Sequence, residues 1–396
     1  MSERVAIVGI GITEHKSKWP ERSQVEIVNE AVQFALEDAQ LNMKDIDATI
    51  IGNMELFEGI YNVDMWMTEG DGAYLKSGMK INTGGTVGAS TFFTAVEHAG
   101  SGLFNAVLAV GWEKQDEGSS AYSLRVVHEN PFLTVVAPSR AGVGIVFNKW
   151  AQDMLARKSV SEEQIAKLRV QASENASKNP KAHLRNILTV EDVMNSPFLV
   201  APTVRYLHIC PTSIGAVALI IAPEERAKKI TNKPVWIVDH VSSHCGVDSM
   251  YITAPAGGGM AGPTFWWPSV DSIRKLYQRN GIKNPCKEID IFEFYDPCAW
   301  VLAEGFEIMG LCEKNQAGKL IDSGKTRIDG EIPVNPSGGV LCTNAIGDSA
   351  MMRPAQIALQ LRGDAGDYQV HKKVSRGLAH GLGGDFATAC LLQNYL

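Results

Sequence analysis

The chain has 396 residues, 45% of them hydrophobic and 20% charged, with a formal net charge of −7. That length exceeds one ordinary core, so two domains or a duplicated one is expected. The acidic balance argues against nucleic acid and offers no basic membrane patch, and no apolar run reaches the ~18 residues of a membrane span.

Met1–Gly11 turns straight into a strand and glycines, so no signal peptide is expected. Val5–Gly9 reads as a buried strand, Val25–Ala39 as an amphipathic helix and Asp47–Gly52 as the next strand, a βαβ start typical of a mostly parallel sheet. Met54–Gly72 is rich in Phe, Tyr, Met and Trp but holds too many glycines and acids for a regular element; a partner surface, a lid or core packing would each suit it. INTGG (81–85) then opens a buried helix, expected within 81–102, whose face from Val87 to Val96 is almost wholly small or apolar, with its first N–H groups aimed at one spot. A strand at Ala106–Val110 leads into Gly111–Lys114.

Residues 115–215 read as an insertion with helices at Gly142–Met154 and Ser161–Asn175, the second opened by a Ser-x-Glu-Gln start signal. A strand at Ala216–Ile221 follows CPTSIG. The second half then restarts. Val235–Asp239 repeats the first strand, Ser269–Asn280 is a helix, and KEIDIFEFYD (287–296) echoes KDIDATIIGN (44–53). NPSGG (335–339) echoes NTGG (82–85), a second buried helix is expected near 348–362, and GLAHGLGG (377–384) takes the place of 106–111. Two such halves, 1–225 and 226–396, would bring equivalent glycine-rich turns together at the carboxyl ends of their strands, where open α/β sheets bind ligands. The seven cysteines, at 210, 245, 286, 298, 312, 342 and 390, include no CxxC pair. They read as reduced and metal-free, in a cytoplasmic protein.

In their order and spacing, GWEK (111–114), the run 159–185, CPTSIGA (210–216), EFYD (293–296), NPSGG and GLGG (381–384) resemble the thiolase superfamily in its sterol-carrier-protein-like branch. The resemblance implies a duplicated α/β fold in five αβαβα layers with a loop domain in the first half. It also implies a homodimer, coenzyme A thioester chemistry and no covalently bound cofactor. Four usual catalytic positions are altered. The nucleophilic cysteine falls on Gly85, the strand-end Asn or His on Tyr295, the Gly-His-Pro loop on Thr343–Gly347 (so that His becomes Asn344 or Ala345), and the second cysteine on His380. Gly84, Gly85 and Gly384 suit an oxyanion hole. Tyr295 and His380 are expected to face one pocket as the proton-transfer groups, with Asp296 orienting one of them. Cys298 and Cys342 are the candidate nucleophiles, and Cys210 lies where the family lines its pantetheine channel.

Within the superfamily the resemblance points to the thiolase subunit of two-component 2-benzoylsuccinyl-CoA thiolases of anaerobic toluene degradation. Those work with a small zinc-ribbon and OB-like partner, so zinc would sit only in the partner. A retro-aldolase on a steroid-side-chain CoA ester and a non-catalytic scaffold are the alternatives. Met54–Met67 and FWW (265–267) carry apolar surface suited to a benzoyl group or a partner.

Overall fold

The computed structural model describes residues 3–118, 144–244, 267–384 and 386–396; Cys245, Phe265 and Trp266 lie outside them. In chain order the first elements are β1 (Val5–Ile12), α1 (Gln24–Ala39), β2 (Ala48–Gly52), α2 (Asp64–Asp71), β3 (Ser77–Ile81), α3 (Val87–Gly100) and β4 (Val107–Lys114). Then come α4 (Gly144–Ala156), α5 (Glu162–Lys178), α6 (Val190–Asn195), the short hairpin β5 (Phe198–Val200) and β6 (Val204–Arg205), β7 (Ile214–Pro223) and α7 (Glu224–Ile230). The rest are β8 (Val235–His244), α8 (Trp267–Arg279), α9 (Pro285–Glu288), β9 (Ile291–Glu293), α10 (Ala299–Ile308), α11 (Ala317–Asp322), α12 (Ile346–Arg362), β10 (Arg376–Gly383) and β11 (Phe386–Gln393).

β1, β4 and β7 are buried along their whole length, which is why they read as unbroken apolar runs rather than alternating ones. The start signal at Ser161 is a reciprocal cap. Its hydroxyl accepts from Gln164 N, and the Gln164 side chain accepts from Ser161 N at 2.8 Å. The stretch expected to be irregular contains α2. That helix ends at Gly72, which adopts a left-handed φ of 73° that glycine tolerates. Phe57 and Met67 are core, whereas Tyr61, Met65 and Trp66 stand exposed.

The sheet order is β3-β2-β4-β7-β1-β8-β11-β10-β9. Each half repeats the same pairing: β2 with β4 and β9 with β10 are parallel, while β4 with β7 and β10 with β11 are antiparallel. Even the position of β3 has a counterpart, because Val334 bridges Phe292 in parallel just before NPSGG. The two halves are joined edge to edge. β1 and β8 join through Ala6–Trp236 and Ile7–Val235, making one nine-stranded sheet.

That sheet is curled. α12 packs on both β4 and β10, which stand five positions apart in the order. In a flat sheet they would lie about 24 Å apart. The curl encloses α3 and α12, while α1 packs against β1 and β7, and α8 against β8 and β11. Contact between the two enclosed helices depends on Gly88, where a Cβ would come within 2.8 Å of Met351 N and 2.9 Å of Gly347 O.

Candidate active site

Two of the altered motifs, Tyr295 and the loop 343–347, converge on the first turn of α12. Tyr295, two residues past β9, is buried, and its hydroxyl lies 2.9 Å from Ser349 Oγ and 3.4 Å from Asn344 Oδ1. Burial raises its pKa above the ordinary phenol value, so the O–H stays protonated. Asn344 Nδ2 also donates to Cys210 Sγ at 3.2 Å. The Asn344 backbone N–H donates to Ser213 Oγ at 3.0 Å, and Ser213 Oγ lies 2.8 Å from His183 Nδ1. The His183 amide in turn donates to Thr343 Oγ1 at 3.1 Å. The loop 343–347 is therefore tied to Tyr295 on one side and to His183 on the other.

Gly85 follows a different logic from its neighbours. A Cβ there would stand 2.8 Å from Gly383 Cα, so two backbones are in contact where a side chain would project. Gly84 and Gly384, at φ of 61° and 64°, have open space on their Cβ side. The expected hole needs one correction: Gly84 N–H already donates to Asn82 Oδ1 at 3.2 Å and is not free.

His380 is also placed differently from expectation. Parallel pairing sets Ala379 against Glu293, so His380 lies beside Phe294, with ring centroids 4.2 Å apart and planes 3° from parallel. Its Nε2 lies 3.0 Å from Ser269 Oγ on α8. Glu293 and Tyr295 instead reach Arg353 and Ser349 on α12. Side chains alternate along an extended chain, so His380 and Tyr295 point to opposite sides of β9 and β10. Burial drives the His380 pKa down to about 3, leaving a neutral imidazole.

Cys298 and Cys342 are fully buried, and burial pushes their thiols up to about 12 and about 11. Cys210 is likewise raised to about 12. None of the three is held as a thiolate, the form that attacks. Cys342 Sγ is 3.4 Å from Arg169 NH1 and from Ala172 O, turned toward α5.

Asp296 does not orient Tyr295 or His380. Its Oδ1 accepts from Val340 N at 2.6 Å, and its Oδ2 is buried without a hydrogen-bond partner. Burial raises its pKa from 3.8 to about 7, against the pull of Arg353. The folded chain thus keeps a proton that the unfolded chain releases, and stability falls as pH rises through that interval. Asp296→Asn should remove this slope, worth up to about 4 kcal/mol. Urea midpoints of the two proteins should diverge steadily between pH 4 and 8, in the variant's favour; parallel curves would contradict the assignment.

A buried ion pair and a buried hydrogen bond brace α12 from either side: Glu293–Arg353 at 2.5 Å and His15 Nε2–Asp348 Oδ2 at 2.9 Å. Ser349, Ser213, His183 and His15 went unnoticed as site residues in the sequence. The serines have no spacing signal, although Ser213 lies inside CPTSIGA and His183 inside the 159–185 run.

A family model described as Thiolase C-terminal domain-like matches residues 264–392. An acetyl-CoA acetyltransferase of Methanothermobacter thermautotrophicus is 30% identical over 98% of this chain and 98% of its own length. The chain belongs to the thiolase superfamily. This thiolase-superfamily chain is also 26% identical, over 86% of its length and 87% of the relative's, to the 17-hydroxy-3-oxo-4-pregnene-20-carboxyl-CoA lyase of Mycobacterium tuberculosis. Among solved structures, the Ltp2-ChsH2(DUF35) aldolase superposes with a TM-score of 0.81 at 22% identity, over 99% of this chain and 98% of that one. The general chemistry of this chain is that of the family, making or breaking carbon–carbon bonds in acyl-CoA compounds. Among the described residues no helix is long and apolar enough to cross a membrane, and no group of three or more His, Cys, Asp or Glu is placed to hold a metal ion.

Proposed function

We propose that this chain cleaves 2-benzoylsuccinyl-CoA with free coenzyme A, giving benzoyl-CoA and succinyl-CoA without a covalent acyl-enzyme. The observation that carries the second clause is Gly85: the Gly383 backbone fills the space of a nucleophile's side chain, and Cys210, Cys298 and Cys342 are held as neutral thiols by burial. The thiolate of coenzyme A then attacks the ketone carbonyl directly, in a ternary complex. Collapse of the alkoxide breaks the carbon–carbon bond, and the electron pair left on the thioester's α-carbon takes a proton. Tyr295, a protonated phenol held by Asn344 and Ser349, is the donor for that step, and the proton released when the coenzyme A thiol ionises restores it.

The same Tyr295 supports a second reading, retro-aldol cleavage of a steroid-side-chain-type CoA ester, which needs no nucleophilic cysteine and no free coenzyme A. The similarity to the mycobacterial lyase favours it. The five-layer αβαβα division into 1–225 and 226–396, with a loop domain at about 115–215, belongs to the same proposal and is supported by the repeated strand pairing. The unpaired outer edge of β3 and the exposed Tyr61, Met65, Trp66 and Leu75 support a homodimer face or the seat of a zinc-ribbon and OB-like partner. A reducing cytoplasm fits the six described cysteines, all free.

Requirement for coenzyme A separates the readings. With 2-benzoylsuccinyl-CoA, benzoyl-CoA and succinyl-CoA should form together by chromatography only when free coenzyme A is added. Cleavage of a β-hydroxyacyl-CoA without added coenzyme A would replace thiolysis by the aldol route. Inertness of the chain, with and without a partner, toward both substrates would leave a scaffold.

A further inference from the structure

The altered loop 343–347 has no histidine, yet an imidazole is tied to it from another part of the chain. His183, on the turn after α5, is fixed by its own amide to Thr343 Oγ1 and by Nδ1 to Ser213 Oγ. Ser213 Oγ accepts the Asn344 N–H, and among the described residues its own proton has no acceptor in reach other than His183 Nδ1, so the hydroxyl donates there. A neutral imidazole that accepts at Nδ1 carries its own proton on Nε2. The residue is half-buried rather than enclosed in the core. Burial, aided by the nearby His15, lowers the His183 pKa to about 4, which keeps the ring neutral through the working range.

We propose that His183 is a further catalytic residue: its Nε2–H, fixed by Ser213, donates to the substrate oxygen that becomes negatively charged during carbon–carbon bond cleavage. Ser213 is a positioning residue, because it sets which ring nitrogen holds the proton. No proton is transferred in this role. The N–H shortens its hydrogen bond as the carbonyl π pair moves onto oxygen and lengthens it again when the carbonyl re-forms. A neutral donor suits that task, since it stabilises the oxyanion without giving up its proton. The inference deepens the proposed reaction and serves the thiolytic alkoxide and the thioester enolate alike.

Two readouts test it. The first is ¹⁵N NMR of the imidazoles in the full-length protein, with His183→Gln to assign the signal. The Nε2–H tautomer is expected in the parent, and an Nδ1–H tautomer or a charged ring at pH 7 would overturn the proposal. The second is exchange of the α-proton of succinyl-CoA in D₂O, a partial reaction that needs an enolate but no cleavage. His183→Ala should slow it about 10²–10³-fold. His183→Gln, whose amide N–H reaches a similar place, should stay within about tenfold of the parent, with both variants checked for folding by circular dichroism. Parental exchange in folded His183→Ala refutes the role. A parent that exchanges the α-proton but fails to cleave 2-benzoylsuccinyl-CoA would remove the substrate assignment and leave His183 standing; a parent without exchange would count against His183.

Discussion

Tyr295→Phe should lower the rate of carbon–carbon cleavage by about 10²–10⁴-fold, the span expected for losing a positioned proton donor. The substitution removes one oxygen and keeps the ring, which is buried in the core cluster beside Phe294 and Cys298. Burial keeps the phenol protonated at any working pH, so its contribution is as a donor, held at 2.9 Å by Ser349 and more loosely by Asn344. Loss of the hydroxyl also strips a partner from both side chains, for a cost of about 1–3 kcal/mol. A thermal melt run beside the assay separates that cost from turnover. His380→Ala is the control on the opposite side of β10: it should lower the melting temperature through lost packing on Phe294 while the folded enzyme keeps its turnover. If Tyr295→Phe works at the parental rate, the proton comes from elsewhere.

The second large effect concerns stability. Arg353→Met should destabilise the fold by about 3–5 kcal/mol, because it leaves Glu293 buried without its cation. Both side chains are essentially inaccessible, at 1% and 0% exposure, so no water replaces the lost partner. Glu293 is held further by Ser337 Oγ at 2.9 Å and Ser337 N at 3.2 Å, and Arg353 Nε donates to Ser349 O at 3.2 Å. The raised pKa of Glu293, caused first by burial, makes protonation its escape once Arg353 is gone. Urea denaturation should show the full loss in Arg353→Met and a smaller one in Glu293→Gln/Arg353→Met, where neither charge remains. A double variant as unstable as the single would place the loss in packing instead. Since Ser349 is bonded to both Arg353 and Tyr295, Arg353→Met should also depress turnover.

Much of this architecture was readable from the sequence because strands covered on both faces must be continuously apolar. Val5–Gly9 and Val235–Asp239 both proved to be the starts of longer strands. α2 was hidden by its acids and glycines, and the junction of β1 with β8 has no local signal, being only two residue pairs long. In the site, Tyr295 and Asn344 stood out because each replaces a different residue type in an otherwise retained motif. His380 stood out for the same reason, but its direction was misjudged. The alternation of Glu293, Phe294 and Tyr295 already contained the answer: a charge and a hydroxyl turn one way and an aromatic ring the other, and the strand pairing puts His380 with the ring. Ser213 and Ser349 could not be singled out, since a serine's role is fixed by what three-dimensional packing sets beside it.

The curl of the sheet around α3 and α12 also bears on how the molecule is made. Tyr295, Asn344 and Ser349 belong to late segments, His183 and Ser213 to the middle, and Gly85 to the beginning, so the site is assembled from contacts of long sequence separation. Closing such loops is slow, and it delays the reward of native contact until much of the chain is present. As the chain leaves the ribosome, β1 must wait for β8, and α3 must wait for α12, with its glycine-notched face exposed to other apolar surfaces. The arrangement that makes the core tight therefore leaves apolar surface of the nascent first half uncovered until the second half is made.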